Sequence, residues 1–228
     1  MKKEKITADQ ILAHRKKISQ LSNSGKFKQA YDLTLKLTKK FPYVIVFQYL
    51  EAVFSAEDTR HLTKYQTRLK YSIAARKLKT LLPKLRNVDP KLRKSIRNEY
   101  YWFSKQPYKQ YLLGIESNKN GQNGYYSMGV GASRLALEYG RRHKKNLCLK
   151  WAKISEKAWL HFFKTEPNWF NAYYFYAVAL GLQGRTAEMN KALKIGSKIS
   201  GIPVSDEMFQ EALREVESVR IKTITVFT

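Results

Sequence analysis

Four histidines are the side chains of this 228-residue chain most suited to metal binding. They share no metal-ligand spacing such as H-x3-H, and none stands in an H-E-x-x-H context. His14 and His161 fall within or beside apolar helical stripes, whereas His61 and His143 flank basic clusters. We therefore interpret the first two as packed or half-buried and the other two as solvated.

The single cysteine, Cys148, is the candidate nucleophile. It lies among lysines near the predicted start of a helix, where the pKa of a thiol can be lowered. We nevertheless interpret it as a small core residue of that helix. One cysteine also excludes an intrachain disulfide framework and a cysteine-based metal site.

Two further motifs could handle phosphates or protons. Gly129-Val130-Gly131 resembles part of a phosphate-binding glycine loop, but such a loop follows a buried strand and none is predicted before it. We expect these glycines to lie where two helices approach closely. Glu207, Glu211 and Glu215 recur every four residues, which predicts an exposed helix row, not a buried acid-base pair. The sequence thus predicts no enzyme, cofactor or metal site.

The distribution of charge indicates binding. The formal net charge is +25, and residues 58–97 carry 13 Lys and Arg against 2 Asp and Glu, whereas residues 166–228 carry 7 of each. Such a field favours an acidic protein, nucleic acid or an anionic membrane surface as partner. A merely solvated lysine-rich surface would give the same composition.

Aromatic residues interleave with basic ones between Arg97 and Lys109. Aromatic anchors supply affinity for a protein partner and Lys/Arg side chains supply steering, while rings and cations together could also hold a single nucleic-acid strand. The candidate partner-binding residues are Arg60, Lys64, Arg68, Arg97, Tyr101, Trp102, Lys105 and Tyr173.

Helical periodicity dominates the elements that must position these residues. One interval of 17 residues separates Gly25 from Pro42, and an equal interval separates Pro167 from Gly184. Glycine is typical of turns between helices and proline of helix ends, so this punctuation suggests stacked helix pairs. Asp58 or Thr59 could cap a helix that runs to about residue 82. This helix carries an apolar stripe of Leu62, Tyr65, Leu69 and Ile73, with Arg60, Lys64 and Arg68 in the adjacent row.

Segments 11–42 and 168–200 resemble tetratricopeptide repeats, whose 34-residue pattern is W-x2-L-G-x2-Y, then A-x3-F, then P. The matching residues are Tyr173, Tyr176, Ala177, Leu180 and Gly184 in the later segment and Gly25, Phe27, Ala30 and Pro42 in the earlier one. The resemblance implies a scaffold whose concave surface binds a protein or peptide.

We therefore predict a single all-α domain of about ten helices, in which antiparallel helical hairpins stack as a tetratricopeptide-like superhelix. The hairpins would occupy residues 1–57 and 125–220. Residues 58–124 would form a basic non-repeat insertion and a loop, and residues 221–228 would form an extended tail. No stretch has the length of a signal peptide core or a membrane span, so we expect a cytoplasmic protein.

The function that these observations predict is a non-enzymatic scaffold that binds an acidic protein or peptide. The alternative is binding of nucleic acid or an anionic surface through segments 58–109 and 141–153. The sequence leaves the oligomeric state open.

Overall fold

The computed structural model describes residues 5–23, 26–56, 62–205 and 207–224. Within these ranges the chain forms eleven α-helices and one 3-10 helix, without a β-strand, which confirms the predicted all-α class. The chain divides into two compact units, residues 1–105 and 106–228. The boundary falls inside segment 58–124, so the helices of that segment belong to different units.

The first unit contains five α-helices. They are α1 (Ala8–Asn23), α2 (Phe27–Lys40), α3 (Ile45–Phe54), α4 (Lys64–Leu81) and α5 (Pro90–Phe103), with the 3-10 helix Leu82–Asn87 before α5. Each α-helix contacts the next along the chain, as expected of helical hairpins, and α3 also contacts α5. The predicted turn at Gly25 lies outside the described residues.

The start of α4 differs from the sequence prediction. Its N-cap is Thr63, whose hydroxyl accepts a hydrogen bond from the Gln66 main-chain nitrogen, while the Gln66 side chain accepts one from the Thr63 main-chain nitrogen. This reciprocal capping box satisfies two backbone donors at the helix start, so α4 begins at Lys64. Asp58 and Thr59, the predicted caps, lie outside the described residues.

The buried face of α4 is built from small and aliphatic residues. Ala74, Ala75, Leu78 and Leu81 are buried in a core shared with α3 and α5. The apolar stripe in the sequence points elsewhere, because Tyr65, Leu69 and Ile73 are exposed. Alanines allow the neighbouring helices to approach α4 closely, and this close approach decides which face is buried.

The second unit contains six α-helices. They are α6 (Pro107–Lys119), α7 (Tyr125–Arg141), α8 (Lys145–Phe162), α9 (Phe170–Leu182), α10 (Thr186–Ser200) and α11 (Glu207–Ile224). The turn between α9 and α10 places Gly184 at φ +83°, a conformation that glycine adopts without strain. The predicted extended tail is wrong for residues 221–224, which continue α11; residues 225–228 are not described.

Glycines in α7 let its neighbours approach closely, as predicted. A Cβ atom on Gly131 would lie 2.7 Å from the carbonyl oxygen of Pro107 and 2.7 Å from the main-chain nitrogen of Tyr111 in α6. A Cβ on Gly129 would lie 2.4 Å from the ring of Trp159, which is fully buried. The Gly129-Val130-Gly131 motif is therefore a packing device inside a helix.

None of the helices in the described ranges has both the length and the apolar character needed to cross a bilayer.

Candidate binding groove

An open cavity of about 380 Å³ lies between α4 and the C-terminal end of α5 in the first unit. The helix α4 contributes six lining residues, Arg68, Tyr71, Ser72, Ala75, Arg76 and Lys79. The other four, Tyr100, Phe103, Ser104 and Lys105, come from the end of α5 and the residues after it. We call this cavity the basic groove.

The spacing of the α4 residues explains why they share the groove. Arg68, Ser72 and Arg76 are four residues apart, and Lys79 follows three residues later. At 3.6 residues per turn these intervals keep the side chains on one face of the helix. The sequence therefore arranges three cations in a row along one wall, before any tertiary contact forms.

The cations of the basic groove are exposed, and none forms an ion pair with a carboxylate in the part of the chain that the structure describes. Within residues 5–23, 26–56, 62–205 and 207–224, no carboxylate pairs with Arg68, Arg76, Lys79 or Lys105. Lys77 on the same helix behaves differently, because its Nζ lies 2.7 Å from Glu51 Oε1. Among the described residues, the four groove cations therefore differ from Lys77 in having no carboxylate partner.

The aromatic residues of the groove pack against protein. The ring of Tyr71 meets that of Phe103 edge-on, at 5.2 Å between centroids, and Tyr100 packs on Tyr101 at 5.6 Å. Phe103 is buried, and the tyrosines are half-buried. The rings of Tyr71, Tyr100 and Phe103 form the groove wall, while Ser72 and Ser104 add hydroxyl groups to the lining.

Lys105 occupies its place in a strained backbone conformation. Its φ of +55° is left-handed, and its main-chain nitrogen donates a hydrogen bond to the carbonyl oxygen of Trp102 at 3.1 Å. This position just beyond a helix end is most often glycine, because other residues incur a steric cost there. Here a lysine occupies it and lines the groove.

Only some of the predicted partner-binding residues line the groove. Arg68 and Lys105 line the groove, whereas Arg97, Tyr101 and Trp102 lie on α5 outside the lining. Trp102 packs against the core shared by α3, α4 and α5. Arg76 and Lys79 belong to the predicted basic segment 58–109 but not to the eight candidate partner-binding residues, although their helical spacing from Arg68 places them on the same face of α4.

Of the three remaining predicted site residues, only Tyr173 has a described side chain, and it lies outside this group. Tyr173 belongs to the second unit, where its ring stacks on Phe163 at 4.3 Å and its hydroxyl donates to the Pro167 carbonyl oxygen at 3.0 Å. Burial raises the pKa of the Tyr173 hydroxyl. Lys64 is the first residue of α4, but its side chain is not described, and Arg60 lies outside the described residues.

The sequence candidates for chemistry have structural roles. Cys148 is buried, and burial raises the pKa of its thiol, which supports its interpretation as a core residue. His14 meets the ring of Phe47 edge-on at 6.0 Å, and His161, although exposed, stacks on Tyr125 at 4.9 Å. His143 is exposed as predicted, and His61 lies outside the described residues.

The prediction of an exposed carboxylate row is correct for Glu211 and wrong for Glu215. Glu211 is exposed, whereas Glu215 is half-buried and forms an ion pair with Arg141, at 2.9 Å between Nη2 and Oε1. The side chain of Glu207 is not described. In the part of the chain that the structure describes, no group of three or more His, Cys, Asp and Glu side chains could hold a metal ion.

The basic groove can bind anions and donate hydrogen bonds. Its lining, as the described residues define it, has guanidinium, ammonium and hydroxyl groups but no carboxylate or imidazole. Guanidinium and ammonium groups form charge-assisted hydrogen bonds with carboxylates and phosphates. The arrangement therefore suits a negatively charged ligand.

Comparison of the chain with protein-family models, with curated proteins and with solved structures finds no match. The resemblance to tetratricopeptide repeats therefore stays a prediction.

Proposed function

We propose that this protein is a non-enzymatic helical-repeat scaffold that binds an acidic segment of a partner protein in the basic groove. The observation that carries the proposal is the groove itself, in which four exposed cations without a carboxylate partner among the described residues line one cavity. Carboxylates of the bound segment would pair with these four cations.

The charge of the first unit supports the same partner chemistry. Residues 1–105 contain 25 Lys and Arg and 8 Asp and Glu, whereas residues 106–228 contain 18 and 10. The field of the first unit would attract an acidic segment, and the groove would then orient it. Arginine suits this second step because its planar guanidinium binds a carboxylate in a bidentate manner.

The aromatic side chains favour a peptide over a nucleic acid. Single-strand binding relies on ring faces that are open to stacked bases. The groove residues Tyr71 and Tyr100 instead contact other aromatic rings of the protein, since Tyr71 packs on Phe103 and Tyr100 packs on Tyr101. In the other basic segment, residues 141–153, Arg141 and Arg142 already pair with Glu215 and Glu138. We therefore treat preferential binding of nucleic acid as the outcome that would contradict the proposal.

The experiment measures binding of two fluorescent probes by anisotropy at several salt concentrations. One probe is a glutamate-rich peptide, and the other is an oligothymidine with the same number of negative charges. The test variant is Arg68→Gln/Arg76→Gln/Lys79→Gln. The control is Lys17→Gln/Lys28→Gln/Lys36→Gln, which removes the same charge from exposed positions on α1 and α2.

We expect the groove variant to bind the peptide about tenfold more weakly, because three exposed ion pairs of about 0.5 kcal/mol each sum to about 1.5 kcal/mol. The control should stay within about twofold of the unmodified protein. Equal losses in both variants would show that only the overall field acts. Tighter binding of the oligonucleotide, with a steep salt dependence, would instead favour nucleic acid.

A further inference from the structure

The helix α4 carries an apolar row that the first unit leaves exposed. Tyr65 is 76% exposed, Leu69 48% and Ile73 36%. Their spacing of four residues aligns them along about 12 Å of the helix at 1.5 Å per residue. Single exposed apolar side chains are ordinary, but a contiguous row is typical of an interaction surface.

A second row runs beside the apolar one. It consists of Arg68, Ser72 and Arg76, again four residues apart. Rows with this spacing form ridges on a helix, and the furrow between two ridges accepts a ridge of another helix. The exposed face of α4 therefore presents an apolar ridge beside a cationic one, and neither arginine has an ion-pair partner among the described residues.

We propose that the partner segment binds as an acidic amphipathic helix on this face of α4. Its apolar residues, at helical spacing, would contact Tyr65, Leu69 and Ile73. Its carboxylates would pair with Arg68 and Arg76. The inference rests on the proposed function, because it uses the same arginines, and it adds the conformation and the apolar side of the ligand.

Charge complementarity and shape select this occupant. Arg68 and Arg76 also line the concave basic groove, into which carboxylate side chains of a docked helix can extend. An anionic bilayer would match the charges, but its flat surface does not enter a cavity between two helices. A helix also matches the apolar row, because amphipathic helices bind through anchors one turn apart.

The test uses the full chain and synthetic probes. The first probe is a peptide of about 18 residues, or five helical turns, with leucines at i, i+3, i+4 and i+7 spacing and glutamates elsewhere. The second has the same composition in an order that cannot form an apolar face. The third is a vesicle made of equal parts of phosphatidylserine and phosphatidylcholine.

The decisive variant is Tyr65→Gln/Leu69→Gln, which removes the two most exposed side chains of the apolar row and leaves both arginines in place. Its matched control, Leu12→Gln/Tyr43→Gln, changes the same two residue types in the same unit at positions 62% and 47% exposed. Because all four side chains are exposed, neither variant removes a core residue. Circular dichroism confirms that both remain helical.

We expect the decisive variant to bind the amphipathic peptide about tenfold more weakly, whereas the control stays within about twofold. Binding of the reordered peptide should be equal in all three proteins, since it depends on charge alone. Equal affinity for the two peptides, or vesicle binding that depends on Tyr65 and Leu69, would overturn the inference.

These outcomes are distinguishable from failure of the proposed function. If the reordered peptide still needs Arg68, Arg76 and Lys79, the acidic-segment function stands even when helix docking fails. If neither peptide binds at low salt, both proposals are refuted.

Discussion

Replacing Lys105 with glycine is expected to make the protein more stable and the basic groove weaker at binding. The two effects have separate origins, because the backbone of Lys105 is left-handed, with φ +55°, while its side chain lines the groove. A residue selected only for stability at this position would be glycine. Lysine there combines a steric cost with a cation at the binding surface.

The magnitude of each effect follows from this geometry. A left-handed conformation destabilises a non-glycine residue by about 1–2 kcal/mol. Glycine avoids this cost, but its larger loss of backbone entropy on folding destabilises the protein by about 0.5–1 kcal/mol. The net gain in the free energy of unfolding for Lys105→Gly should be about 0.5–1 kcal/mol. Loss of one exposed cation should weaken binding of the glutamate-rich peptide about two- to threefold.

The assay combines urea unfolding, followed by circular dichroism, with peptide anisotropy. His143 provides the matched control, because it also lies just beyond a helix end with φ +58° but belongs to the second unit. His143→Gly should gain similar stability without a change in affinity, and Lys105→Ala should lose affinity without gaining stability. The reasoning is refuted if Lys105→Gly binds the peptide as tightly as the unmodified protein, or if it unfolds more easily.

Further predictions concern the second unit. Gly131→Ala should lower the free energy of unfolding by about 2–3 kcal/mol, because the added Cβ would lie 2.7 Å from the main-chain nitrogen of Tyr111. An unchanged midpoint of urea unfolding would contradict the close contact between the helices. Cys148 should react with iodoacetamide only as fast as the protein unfolds, because the thiol is buried and its pKa is raised. Rapid labelling of the folded protein, measured by mass spectrometry, would contradict this. Burial, Glu215 and Glu211 raise the pKa of Tyr174, so the unfolded chain loses this proton first and the free energy of unfolding should fall as pH rises above about 10. Tyr174→Phe should reduce that fall, measured by urea unfolding at pH 8 and pH 11, and an equally steep fall in the variant would contradict this assignment.

The features that the sequence predicted correctly are local ones. Helical periodicity and turn residues determine the all-α class, and Gly184 adopts the left-handed turn that its position between two helices indicates. Gly129 and Gly131 were interpreted as contact residues because no strand precedes them, and both lie against neighbouring side chains or backbone. The identity of the neighbouring helix, in contrast, depends on the folded chain.

The orientation of α4 shows why other features were missed. Its clearest hydrophobic stripe, including Tyr65 and Leu69, is exposed, while Ala74 and Ala75 are buried. Alanine contributes little to a hydrophobic pattern, yet it permits the close approach that determines the buried face. A single-sequence pattern reports hydrophobicity, whereas burial also depends on the shape of the neighbours.

The basic groove was predictable on one side only. Helical spacing relates Arg68 to Arg76 and Lys79 within α4, so that row can be read from the sequence. The juxtaposition with Lys105 requires the packing of α4 on α5, which no local pattern specifies. For the same reason, the sequence does not separate Tyr173, which belongs to the second unit, from the candidate residues of the first.

The most direct test of the binding site is a nuclear magnetic resonance titration of the isotope-labelled full chain with the glutamate-rich peptide. The amide signals of Ser72 and Ser104, which line the basic groove, should shift most and saturate together. Arg68→Gln/Arg76→Gln/Lys79→Gln should suppress these shifts. The account is contradicted if the largest changes fall in residues 141–153, or if they spread evenly over exposed lysines without saturating.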